Sequence, residues 1–336
     1  IGIPKYGAEF NKPNSTEKST FYFKETDDSY PPAFEVVRAQ LDLLLIKNAI
    51  SKGVKVFQDT KVLSVDLGAE KGPRAIVRHP NGSESPINSL FFIDSSGQDT
   101  FLANTLKLKI QNQRHKSASI YGHFKGVERR EGKDEGNISI YWFSHGWFWV
   151  IPFKNGDTSV GVVCWPQYLK TRGGLTIEEF FEASIKLCPN LSNRMRNAEA
   201  VNSIRTIGNY SYSSRKSYGK NYILIGDART FLDPIFSSGI FIAMKSAFLA
   251  AESVEAWLKK KDNSTVIFKK NEKILNRGLK KLSWIIQRVT APAMQDMFIY
   301  HRNIIGVDDS VVSLLSGNIF DVGIKNNIFY FLFKLI

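Results

Sequence analysis

The segment that most constrains the fold is the apolar run Tyr222-Ile223-Leu224-Ile225. It passes directly into Gly226-Asp227-Ala228-Arg229-Thr230-Phe231-Leu232-Asp233-Pro234-Ile235-Phe236-Ser237-Ser238-Gly239, and a long helical pattern begins near Ile240. A short apolar run bounded by a turn reads as a buried strand. The turn carries one carboxylate, Asp227, and the loop closes on a glycine at the helix entrance. A helix N-terminus presents N–H groups without intrahelical partners and the positive end of the helix dipole, so it suits anions. Strand, acid-bearing turn and Gly-ended helix entrance together describe a site for a nucleotide cofactor.

The rest of the chain supplies a setting for that unit. A second apolar run, Leu90-Phe91-Phe92-Ile93, leads into Asp94-Ser95-Ser96-Gly97 and is expected to be another buried strand. Open α/β sheets bind ligands at such strand ends, which makes Asp94, Gly97 and the adjoining Gln98 candidates. After a Pro31-Pro32 turn, residues 35–52 are amphipathic, with Val37, Leu41, Leu44, Leu45 and Ala49 near helical spacing and Gly53 placed as a C-terminal cap. Val54-Lys55-Val56-Phe57, Val62-Leu63-Ser64-Val65-Asp66 and Ala75-Ile76-Val77-Arg78 read as strands, and Asn81-Gly82 as a hairpin turn. From 117 to 165 the pattern changes to β alternation over 117–124, 138–143, 147–153 and 159–165, with Lys154-Asn155-Gly156-Asp157 joining the last two. An antiparallel sheet forming a wall over a ligand site is expected there. Thr176 and Glu179 are spaced for a capping box, 201–207 is strand-like, and helices are expected over 240–258 and 264–288.

The composition narrows the function classes. The chain has 336 residues, 45 Lys and Arg against 32 Asp and Glu, and a net charge of +13. Such a balance fits nucleic acid, an acidic protein partner or a solvated surface. The sequence contains no recognition helix, zinc-ligand spacing or aromatic RNA-binding strand pattern, so nucleic acid is not favoured. Cys164 and Cys188 make no disulfide framework and no CxxC pair; they read as core thiols in a reducing cytoplasm. His115, His123, His145 and His301 lack ligand spacing and an acidic partner in sequence and read as structural or surface residues, with no metal site indicated. No stretch has the length of a transmembrane helix. The apolar run over 328–333 reads as an element whose partner lies beyond it, and the chain as an internal segment of a longer protein.

The motifs converge on a family. The chain resembles FAD-dependent halogenases of the tryptophan-halogenase superfamily, most of all those acting on pyrroles and phenols. Ile3-Pro4-Lys5-Tyr6-Gly7-Ala8-Glu9-Phe10 is similar to the family's catalytic-lysine segment, and Val37-Arg38-Ala39-Gln40-Leu41-Asp42 to its helix over the flavin. Ile93-Asp94-Ser95-Ser96-Gly97-Gln98 resembles its second dinucleotide motif. Trp147-Phe148-Trp149-Val150-Ile151-Pro152 matches its WxWxIP signature, and residues 226–239 its flavin and halide loop. The resemblance runs over roughly residues 1–260. It implies an α/β fold with a glutathione-reductase-like FAD-binding domain over 1–108 and 220–260. An inserted antiparallel substrate domain over 109–219 and a C-terminal helical region over 261–336 would follow. The GxGxxG strand–turn–helix that seats an FAD pyrophosphate is not found in this sequence, so the first βαβ unit of that domain is expected to be missing from it.

The resemblance also implies a chemistry. Halogenating an electron-rich ring needs an electrophilic halogen, which FADH2, O2 and halide supply through a flavin C4a-hydroperoxide and hypohalous acid. Lys5 would direct that oxidant. A lysine in isolation is ordinarily a solvated charge, and Lys12 is the local competitor. Arg38, Asp94, Gly97, Gln98, Gly226, Asp227, Pro234 and Gly239 would hold FAD, with Arg38 otherwise available to Asp42 one helical turn on. Main-chain amides of Ser238 and Gly239 would hold halide, unless Ser237 or Ser238 merely caps the helix. Trp147, Trp149, Ile151 and Pro152 would separate flavin from substrate. The substrate would be aromatic or heteroaromatic, free or tethered to an acidic carrier protein, with FADH2 delivered by a separate reductase. A flavin monooxygenase or saturase on the same scaffold, and a non-catalytic fragment, are the competing readings.

Overall fold

A computed structural model describes residues 1–23, 33–112, 116–208, 211–300, 312–313 and 317–320. The Pro31-Pro32 turn, His115, His301 and the apolar run over 328–333 lie outside the described residues. The described residues form two compact units, one within 1–41, 113–210 and 278–336, the other within 42–112 and 211–277.

The first unit is built on an eight-stranded sheet. Its main path runs Glu199–Ala200, Ala118–Lys125, Thr158–Cys164, Gly146–Pro152, Ile138–Phe143, Gly7–Asn11 and Lys18–Tyr22, and Arg205–Gly208 also pairs with Ala118–Lys125. The pairings are antiparallel except where Gly7–Asn11 lies parallel to Ile138–Phe143, Ser139 opposite Glu9. Side-chain alternation gives the sheet two faces. Phe148, Val150, Val160 and Val162 turn to one face and pack with Phe180, Phe181, Ile185 and Leu191 from the helices Ile177–Lys186 and Pro189–Arg194. The other face carries Phe10 stacked on Trp142, with Phe298 from the helix Pro292–Ile299 against both. The capping box at Thr176 and Glu179 forms as the spacing predicts. A separate two-stranded antiparallel sheet pairs Gly2–Lys5 with Ala33–Val36.

The second unit holds a parallel pair, Phe92–Asp94 beside Tyr222–Leu224, with Asp94 opposite Leu224. Lys61–Asp66, Arg74–Arg78 and Glu84–Asn88 form an antiparallel meander turning at Asn81-Gly82, and Lys109–Gln111, Tyr212–Ser214 and Thr230–Phe231 a third small sheet. The helices Gly239–Leu258 and Ser264–Ile286 agree with the expected spans, whereas the helix expected over 35–52 forms only as Arg38–Ser51, because Glu35 and Val36 pair with Gly2–Lys5 in the strand Ala33–Val36. Gly53, at φ +88°, ends the helix Arg38–Ser51, and the Val54 amide reaches back to the Ala49 carbonyl.

Four further expectations change. Val54-Lys55-Val56-Phe57 is not a strand: all four residues are exposed, and no strand among the described residues offers them a ladder. The expected buried strand over 90–93 is only partly so, because Leu90 and Ile93 are 64% and 44% exposed. Of the expected strand over 201–207 only the end forms, as Arg205–Gly208. The helix Arg38–Ser51 forms, yet it buries none of its side chains. Periodicity sets helicity, whereas burial needs a partner surface.

Candidate functional site

In the second unit, five candidates gather at the carboxyl ends of the parallel strands. The Ile225 amide donates to the Asp94 carbonyl (3.0 Å), which sets Gly226 and Asp227 beside Asp94. The short turn Gly97–Asp99 then packs on the turn Gly226–Ala228. Open α/β sheets take ligands at the carboxyl ends of such strands. Asp94 is 3% exposed, and its two carboxylate oxygens accept from the amides of Ser96 (2.9 Å) and Leu102 (2.7 Å). Its carboxylate therefore shapes the loop that presents Gly97 and Gln98. Gly226, at φ +53°, adopts a conformation that favours glycine, and its amide donates to Ser246 Oγ (2.9 Å) from the helix Gly239–Leu258. Asp227 is half-buried; its carbonyl accepts from the Tyr212 hydroxyl (2.8 Å), and burial raises the pKa of that phenol.

The loop then enters the long helix. Asp233 Oδ1 accepts from the Ile235 amide (3.2 Å) and fixes the turn Pro234–Phe236, Ser237 takes φ +51°, and Ser238 occupies the N-cap position. No side chain caps the helix. A Cβ built on Gly239 would meet nothing within 4 Å. The competing reading of Ser237 or Ser238 as a side-chain cap thus finds no hydrogen bond. An uncapped helix entrance with open space at its first residue fits an anionic or polar group of a flavin site. Arg229, which follows the turn Gly226–Ala228, is buried, and burial lowers the pKa of its guanidinium to about 10 against the opposing pull of Glu272. The cavity beside it, of about 20 Å³, has room for a water and not for a cofactor.

In the first unit, Lys5 ends the strand Gly2–Lys5 and is 9% exposed. Its Nζ lies 2.9 Å from Glu35 Oε1 on the paired strand. Lys12, the competitor, is more exposed and bonds to Glu17 and to the Tyr300 hydroxyl. Arg38 opens its helix and is exposed. Trp147 and Trp149 share a sheet face, with ring centroids 5.9 Å apart, and Trp149 Nε1 donates to Ser159 Oγ (3.0 Å). Ile151 continues that face, whereas Pro152 alternates to the side of Phe148 and Val150. Gly161 lies opposite Trp149, and a Cβ there would come within 2.2 Å of the indole. Among the described residues, no group of His, Cys, Asp and Glu could hold a metal ion. No described helix is long and apolar enough to cross a membrane.

Sequence reasoning missed Glu35, Asn137, Ser246 and Gly161. Only Gly161 had a signal, a glycine inside a β-branched run, which marks close approach. The others depend on pairings between distant segments.

Comparison with known proteins shows the family to which the chain belongs. The tryptophan halogenase family model matches residues 7–291, a range that begins just after Lys5. The chain belongs to the tryptophan halogenase family. It is 32% identical to a 1H-pyrrole-2-carbonyl-[peptidyl-carrier protein] chlorinase of Pseudomonas fluorescens, over 74% of this chain and 56% of that one. Among solved structures, it is similar to a flavoprotein/dehydrogenase of Cytophaga hutchinsonii, with TM-score 0.87 and 27% identity, over 99% of this chain and 82% of that one. The flavin-dependent brominase Bmp2 is similar too, with TM-score 0.86 and 25% identity over the same 99% and 82%. The chain spans about half the length of the curated relatives it matches.

Proposed function

We propose that the whole protein is an FAD-dependent halogenase acting on an electron-rich aromatic or heteroaromatic ring. FAD, when bound as FADH2, supplies the redox chemistry that turns O2 and halide into hypohalous acid. In this reading Asp227 accepts from cofactor hydroxyls, Gly97 and Gln98 line the crevice that Asp94 shapes, Pro234 packs near the ring and Arg38 serves its phosphates. The amides of Ser238 and Gly239 hold the halide. Trp147, Trp149 and Ile151, which share a sheet face, keep substrate apart from the cofactor. Lys5 donates a hydrogen bond from its ammonium to the oxidant and sets where it reacts.

The observation that carries the reading is the burial of Lys5. A solvated surface lysine has no need of a buried counter-charge, whereas a lysine that must meet a small oxidant away from water does. A monooxygenase or saturase on the same scaffold would not require it. The same reading divides the chain by role into FAD-binding residues 1–108 and 220–260, a substrate-facing part over 109–219 and a C-terminal part over 261–336. It places a further βαβ unit of the whole protein against exposed apolar side chains such as Leu43, Leu44, Ile46 and Ile93. The pyrrole chlorinase relative, by its name, acts on a carrier-bound ring. A carrier-tethered substrate suits this chain's charge of +13, because carrier proteins are acidic and a basic surface steers their approach. Reduced flavin would come from a separate reductase, and two buried free thiols suit a cytoplasmic setting.

The test is turnover of the whole protein with free and carrier-bound aromatic acids, each with chloride and bromide. Halogenated product is expected only with halide, and Lys5→Ala should bind flavin normally and lose about 100-fold or more in product formation, or roughly 2.7 kcal/mol of barrier. A product that gains oxygen equally well without halide would identify a monooxygenase instead. Halogenation by Lys5→Ala at the wild-type rate would remove Lys5 from the mechanism.

A further inference from the structure

We propose that Glu35 is the positioning residue for Lys5, and that Asn137 fixes the chain corner that aims it. The inference rests on the halogenase reading and deepens it.

The ion pair is built across the short sheet. Glu35 stands opposite Ile3 and Lys5 opposite Ala33, so the pair is a cross-strand diagonal within reach of long side chains. The side chains are only 11% and 13% exposed. Glu35 Oε1 is close to the ammonium yet makes no aligned hydrogen bond. The attraction is therefore that of charge, and it does not lock the donor directions of the lysine. The nearby acid Glu9 is not a rival, because Asn11, Arg130 and Lys18 surround its carboxylate.

The backbone is held as firmly. After Lys5 the chain leaves the two-stranded sheet and enters the large one. At that corner the amides of Tyr6 and Gly7 both donate to Asn137 Oδ1, at 2.9 and 2.7 Å. Asn137 Nδ2 donates in turn to Asp134 Oδ1 (2.9 Å), which also accepts from the Tyr22 hydroxyl (2.9 Å). Gly136 lies so close to Pro4 that a Cβ would come within 1.9 Å of its carbonyl oxygen. Lys5 is thus constrained by its paired strand, its counter-charge and its corner. A fold needing only stability has little use for this pair, since apolar residues of similar size serve a core as well or better. Aiming one ammonium at a small oxidant does require it, because misplacement by about 1 Å can cost on the order of 100-fold in rate.

Lysine acylation by acetic anhydride, read peptide by peptide by mass spectrometry, tests the pairing without any turnover. Glu35→Gln should raise the labelling rate of Lys5 several-fold and leave Lys18 unchanged, with Glu35→Asp in between. In the whole protein, Glu35→Gln should lower kcat about 10- to 100-fold with KM little changed. It should add no further loss to Lys5→Met, which a general structural role would do. If Glu35→Gln does not fold, Glu35→Asp keeps the carboxylate and carries both measurements. Unchanged Lys5 labelling, or wild-type kcat in Glu35→Gln, overturns the proposal. A wild-type protein that halogenates nothing overturns the functional reading, and labelling still decides the pairing separately.

Discussion

Asp94 shows how one buried carboxylate can organise a whole loop. Both oxygens take backbone amides of the loop that follows, from Ser96 and Leu102. Asp94→Asn would turn an amide NH2 toward one of those N–H groups and leave a buried donor unsatisfied. A loss of about 1–3 kcal/mol is expected, read from the urea midpoint. An unchanged midpoint would mean that the loop does not depend on this carboxylate. The sequence marked Asp94 because it ends an apolar run before a glycine, and the strand Phe92–Asp94 does end there. Its hydrogen-bonding duty was not legible, because Leu102 reaches it only once the loop has closed. Lys5 stands the other way round: its motif was legible, and its burial against Glu35 was not.

At the scale of elements, local rules held wherever their causes are local. The helix Ile177–Lys186 begins where Thr176 and Glu179 say it should, with the Thr176 hydroxyl accepting from the Glu179 amide and the Glu179 carboxylate accepting in return. Thr176→Ala should cost about 1 kcal/mol in chemical denaturation. The bond from the Thr176 backbone is the main cause that holds the Glu179 carboxyl below its ordinary value of 4.5. A depressed folded value means that the unfolded chain binds the extra proton. This contribution is therefore complete above pH of about 4.5 and fades as pH falls through the lowered value. Glu179→Gln should flatten that part of the stability–pH profile; an identical profile would refute the box. Where a rule needs a neighbour, it failed. Val54-Lys55-Val56-Phe57 has β-formers and no partner strand among the described residues, and the helix Arg38–Ser51 has apolar spacing yet buries none of its side chains.

Across the whole molecule, the buried apolar side chains are unevenly shared. One cluster of sixteen buried residues joins the eight-stranded sheet to the helices packed on it, whereas the parallel pair packs around Leu102, Ala103 and Leu224. Local opening costs most where packing and laddering are dense. Hydrogen exchange should therefore be slowest in Ala118–Lys125, Gly146–Pro152 and Thr158–Cys164. It should be fastest among the helices in Arg38–Ser51, which buries no side chain. Equal protection of that helix and the central strands would contradict this distribution.

The sequence by itself determined the strand–turn–helix unit around Asp227, the alternating wall with its tryptophans, the capping box and the family. Each is written in adjacent residues, where spacing and turn chemistry act directly. Tertiary structure alone decided that Lys5 meets Glu35, that Asn137 holds the corner after it and that Gly161 makes room for Trp149. Those contacts join residues tens of positions or more apart in two cases, and in all three they exist only after strands have chosen their neighbours and register. That choice is made by the packing of whole faces, which no short stretch of sequence encodes.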